Sequence, residues 1–187
     1  MAKSSKRSQK EDADILPIEE KSEFINLANI MKVKLNDKRP FRKVESLNNI
    51  GVEAFKLRPS VIVGMCLYER LDSKERLAIM AHEFAHLKMH HGLVRAGSIF
   101  MSVIIVLLTV PNGSCVSSIM IIMALFIGFW VASYFSEYWA DTVAVQYTND
   151  KDSFISALRK LESPERWTVD YESHPSISHR VAKLSKI

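Results

Sequence analysis

His82-Glu83-Phe84-Ala85-His86 combines residue types and a spacing that can bind a metal ion and put it to use. Residues four apart lie on one helix face, one turn above each other, so two imidazoles can share a Zn²⁺. Glu83, beside the first histidine, is then placed to take a proton from the water that such an ion activates. Five residues with three fixed positions also arise by chance, so the surroundings must carry the reading. Asp72 or Ser73 can cap a helix, Glu75 and Arg76 fill its first turn, and no glycine or proline interrupts 73–91. Apolar residues recur at Leu77, Ile79, Met80, Ala81, Phe84, Ala85 and Leu87, which predicts a half-buried helix carrying the motif.

The elements that must position this helix are unusual in composition. The 187-residue chain is 25% charged, yet its mean hydropathy is near zero. The apolar residues are therefore concentrated, and Ala96 to Val110 and Cys115 to Phe135 hold no charged residue at all. The second run is 21 residues, enough to cross a hydrocarbon layer of about 30 Å. The first reaches spanning length from Gly92 if Arg95 snorkels to the interface. Pro111-Asn112-Gly113-Ser114 between them is a turn signal, so the pair reads as a transmembrane hairpin. Two buried core helices are the soluble alternative, but so much apolar sequence would swamp so small a core.

No Lys or Arg lies in the connecting turn, which places both termini on the cytoplasmic side of a cell membrane. The net charge of +4 fits a membrane surface better than nucleic acid, because no basic patch is interleaved with aromatics. Met1 to Lys10 reads as a disordered basic tail. Cys66 and Cys115 fall on different sides of the bilayer and lack the spacing of a cysteine metal site.

A hydrolytic metal site needs a third protein ligand and an open fourth position. His90 is about 12 Å of helix rise beyond His82 and cannot reach. Glu137 follows the second apolar run, and an even number of crossings returns it beside His82 and His86. Asp141, one turn later, could hold the second nitrogen of a ligand histidine. Trp130, Tyr134, Tyr138 and Trp139 would form an aromatic belt.

With these residues assembled, the chain resembles the HtpX and CAAX prenyl protease family of membrane zinc metallopeptidases over roughly 52–181. Glu53-Ala54-Phe55 is similar to the family's Asn-Ala-Phe segment, with glutamate for asparagine. His-Glu-x-x-His follows, His91 matches a further histidine often found past it, and Glu137-x-x-x-Asp141 comes after the hairpin. His174-Pro175 with Arg180-Val181 matches the C-terminal signature. Additional N-terminal membrane helices, usual in HtpX-like members, have no counterpart in 1–60, where Ile15 to Leu35 is at most an interfacial helix.

The resemblance implies a gluzincin-type zinc endopeptidase with one Zn²⁺ per chain, held by His82, His86 and Glu137. Glu83 would be its base, and His174 or Arg180 would stabilise the oxyanion. A polypeptide substrate would add as a strand to an edge formed by Val61, Ile62, Val63, Gly64 and Met65. The expected fold is mostly α with a small β-sheet, a zincin-like domain interrupted by the hairpin. Its expected parts are a tail over 1–14, peptidase segments over 15–95 and 136–187, and the hairpin over 96–135. Helices are expected over 19–33, from Ser73 without a break through the first crossing, from the second crossing past Asp141, over 151–161 and over 176–185, with strands between Arg42 and Met65. Two rival readings are a non-catalytic zinc-binding membrane adaptor and a site-2-type intramembrane protease. The second is disfavoured by Glu75, Arg76 and Lys88 around the motif and by the lack of an intramembrane aspartate motif.

Overall fold

A computed structural model describes residues 16–45, 49–53, 58–110, 115–161 and 175–186. The N-terminal tail, the turn at 111–114, the loop after Ser163 and His174 lie outside these residues. In chain order the elements are α1 (Ile18–Ile30), β1 (Phe41–Val44), β2 (Ile50–Val52), β3 (Val61–Gly64), α2 (Met65–Tyr68) and α3 (Ser73–Lys88). They continue as α4 (His91–Thr109), α5 (Cys115–Thr148), α6 (Lys151–Leu161) and α7 (Ile177–Leu184). The architecture is mostly helical with a small mixed sheet, as expected.

α3 is the central rod. Asp72 accepts from the Glu75 backbone N–H at 2.9 Å while Glu75 Oε2 accepts from Asp72 N–H at 2.8 Å, a reciprocal cap that fixes its first turn. Glu75 is fully buried and also accepts from Ser156 Oγ and Lys160 Nζ, each at 2.6 Å, which ties α6 to the start of α3. Ala78, Ala81 and Ala85 of α3 and Ala140 and Ala144 of α5 have no exposed surface and belong to one core cluster. Residues this small let two helix backbones approach closely, so a carboxylate on α5 can reach histidines on α3. Phe24 of α1 and Phe154, Ala157 and Leu158 of α6 complete the core around that contact.

The sheet corrects one expectation. Its order is β1-β3-β2, with β1 parallel to β3 and β2 antiparallel to it. Val61, Ile62 and Val63 pair on both sides, Val61 with Phe41 and Val52, and Gly64 pairs with Val44. The Val61 to Met65 segment is therefore central and cannot accept a substrate strand, and Met65 already belongs to α2. A run of β-branched residues signals burial, and a central strand is more buried than an edge.

The helix from Ser73 also does not run unbroken into the first apolar stretch. It stops at Met89, and His90 takes up left-handed backbone geometry (φ 50°, ψ 41°) before α4 begins. Histidine is one of the few side chains enriched in that conformation. The break turns His91 back toward α3, where it is buried.

α4 and α5 are both long and apolar enough to cross a membrane. They pack on each other as a hairpin, yet most of their apolar side chains lie outside the core: Leu108 is 81% and Phe126 72% exposed. Buried core helices would hide these groups, so that soluble alternative does not describe them. The seam is made by small residues. Ser98 Oγ donates to the Gly128 carbonyl at 3.0 Å, and Ser102 Oγ donates to Ser98 O at 2.8 Å. A Cβ at Gly128 would stand 2.5 Å from Ser102 Oγ and 3.1 Å from Ser98 O. Alanine already crowds the Ser98 carbonyl as well as the Ser102 hydroxyl, and isoleucine adds further bulk at the same seam. Gly128→Ile should thus destabilise the hairpin by about 1–3 kcal/mol and Gly128→Ala by clearly less, measured as thermal unfolding in detergent. Equal stability of the two variants would show that the seam is looser than described.

Candidate metal centre

His82 and His86 project from α3 as their spacing requires, and α5 brings Glu137 against them from the far side of the hairpin. His82 Nε2 and His86 Nε2 are 3.1 Å apart. Glu137 Oε2 lies 3.4 Å from His82 Nε2, and Oε1 lies 3.3 Å from His86 Nε2. Ligand atoms about 2.0–2.1 Å from a tetrahedral Zn²⁺ stand about 3.3 Å from one another, so the three side chains fit such an ion. The donor set, two imidazoles and a carboxylate, is that of hydrolytic zinc.

Behind this triad the charges alternate. Asp141 Oδ1 is 3.0 Å from His82 Nδ1, close but not aligned as an ideal hydrogen bond. Arg180 grips Asp141 with two prongs, Nε to Oδ2 at 2.8 Å and Nη2 to Oδ1 at 2.5 Å, and its Nη1 is 3.7 Å from Glu137 Oε2. All of these groups are buried. Arg180 therefore has the two carboxylates as its partners. Glu83 is half-buried and lines a cleft of about 1040 Å³ together with His82, His86, Glu137, Arg180 and the whole of β2.

Two participants were not singled out for the site by the motif spacing. His91 Nδ1 is 2.7 Å from His86 Nδ1, so it can fix the ring orientation and tautomer of His86. Its position past the motif was visible, but the backbone reversal at His90 that delivers it was not. Arg95, expected to snorkel outward, instead turns inward to Ser136 and Glu137. A buried carboxylate is a stronger partner for a guanidinium than the interface.

Burial favours the neutral form of His82, but the carboxylates of Asp141 and Glu137 outweigh it and raise its pKa to about 9. His86 is pushed the other way, to about 4, first by burial and then by the neighbouring His82 cation. The metal-free centre at pH 7 thus holds one proton on His82, which a metal must displace. The proton stabilises the folded metal-free chain fully below pH 6.5, and that contribution fades as pH rises through about 9. Metal affinity should accordingly climb by close to tenfold per pH unit up to about pH 9 and then level off. Competition against a chelator at several pH values checks this, and a flat profile would contradict it.

Paired histidines, a carboxylate from a second helix and an acid lining a cleft define the class: a metallopeptidase. A match to Peptidase family M48 spans residues 22–187, and the chain belongs to that family. Neither a curated protein nor a solved structure matches it.

Proposed function

We propose that this chain is a membrane-embedded zinc endopeptidase, similar to HtpX, that cleaves membrane or misfolded proteins at the cytoplasmic face. The observation that carries the reading is the 3.1–3.4 Å convergence of His82, His86 and Glu137, with Glu83 beside them on the cleft wall. Zinc held there supplies a Lewis acid for the peptide carbonyl and for water. Glu83 takes the proton of the attacking water and returns it to the leaving amine. Asp141 keeps His82 in the tautomer that leaves Nε2 free for the metal, and Arg180 holds Asp141 and neutralises the buried charge. Arg180 acts first through those carboxylates, and it also lines the cleft. By resemblance, His174 is the first candidate for stabilising the oxyanion and Arg180 the second.

The substrate binds extended along β2 rather than β3. Among the described residues, β2 pairs only with β3, and Asn49 to Glu53 line the cleft that holds Glu83. Backbone pairing there fixes the peptide without reading much sequence, which suits loosely selective cleavage. The exposed apolar surface of α4 and α5 requires lipid around it, and the absence of Lys and Arg from 96–150 favours a cytoplasmic peptidase body. The test is cleavage of a loosely folded protein by the detergent-purified chain, with zinc and with zinc chelated. Cleavage only with zinc supports the reading. Zinc bound at unit stoichiometry with no cleavage of several unfolded substrates would favour an adaptor.

A further inference from the structure

Arg95 is the sole Lys or Arg between Lys88 and Lys151, and it sits just inside an otherwise apolar helix. A cation there is costly unless something specific repays it. Here the partner is Glu137. Arg95 Nη2 donates to Glu137 Oε1 at 3.1 Å and to Ser136 Oγ at 2.9 Å, and Nε reaches Ser136 Oγ at 3.3 Å. Ser136 is buried and passes its own proton to the Ser133 carbonyl at 2.8 Å, so its lone pairs are aimed at the guanidinium. The fork is held at both ends.

The two oxygens of Glu137 are consequently unequal. Each faces a ligand nitrogen, Oε1 at 3.3 Å from His86 Nε2 and Oε2 at 3.4 Å from His82 Nε2, but Oε1 also carries the 3.1 Å contact to Arg95, whereas Arg180 Nη1 stands 3.7 Å from Oε2. We infer that Arg95 is a positioning residue of the metal centre: it pins Oε1 so that Glu137 offers one oxygen, Oε2, to the ion. Because Arg95 belongs to α4, the centre takes this form only when the two hairpin helices are docked. The inference rests on the reading of His82, His86 and Glu137 as a zinc site.

A purely structural tie between α4 and α5 would use the same hydrogen bonds, so the test must read the metal itself. The probe is Co²⁺ in the detergent-purified chain, because a four-coordinate site absorbs far more strongly in the visible than one of higher coordination. Arg95→Lys keeps the positive charge, and hence the long-range field at the ion, but loses the planar fork. Its affinity for Co²⁺ should fall about tenfold to a hundredfold, with a weaker visible band as Glu137 engages through both oxygens. Ser136→Ala removes the other support of the fork without touching a ligand, and should shift affinity and band the same way by less. It carries the test if Arg95→Lys does not fold. Folded variants whose affinity and band match the wild type would overturn the inference and leave the metal site standing. A wild-type chain with no cobalt band would overturn the metal reading and this inference with it.

Discussion

Glu83→Gln should bind zinc as the wild type does and lose hydrolysis by about 10²–10⁴-fold. The amide keeps the size and hydrogen-bonding reach of the carboxylate, so the cleft wall that Glu83 shares with His82 and His86 need not move. What disappears is the ability to accept a proton from water at neutral pH. The substitution therefore separates the base from the ligands, which Glu83→Ala does less cleanly because it also opens space. Metal content and turnover of an unfolded substrate measured on the same sample decide the matter. Activity within a few-fold of wild type would mean that another group takes the proton, and a loss of zinc would mean that Glu83 supports the ligands.

The second large effect is on stability. Arg180→Met should cost the metal-free chain about 3–5 kcal/mol, because it removes the two-pronged partner of the buried Asp141 and leaves that carboxylate with His82 alone. Typical domains hold only about 5–15 kcal/mol in total, so partial unfolding at ambient temperature is expected. If the loss comes from the orphaned charge and not from missing bulk, Arg180→Met with Asp141→Leu should be more stable than Arg180→Met alone, since replacing a whole buried pair is close to neutral. Denaturant unfolding of the three chains in detergent closes the cycle. A double variant no better than the single would show that the pair is valued for shape and not for charge. Activity cannot make this distinction, because Arg180 supports His82 through Asp141 in either case.

What the sequence disclosed and what it withheld differ in reach. The His82/His86 spacing, the Asp72 cap and the charged and apolar pattern of 151–161 are local, and local geometry reads them correctly. The return of Glu137 was also legible, because two apolar runs fix the direction of the chain without any knowledge of packing. β3 was misplaced to an edge because strand order depends on partners elsewhere in the chain, and its β-branched residues look alike in either position. The break at His90 carries no glycine or proline to announce it. Arg95 was read as snorkelling because its partners, Ser136 and Glu137, lie some forty positions away.

Those forty positions also set an order of events during synthesis. His82, Glu83 and His86 leave the ribosome well before Glu137, with the whole apolar hairpin still to follow. Until α5 is made and docks on α3, the centre lacks its third ligand, and Asp141 and Arg180 are not yet behind it. A nascent chain is thus a peptidase without a complete site, and completion of the centre waits on the docking of the last long helix.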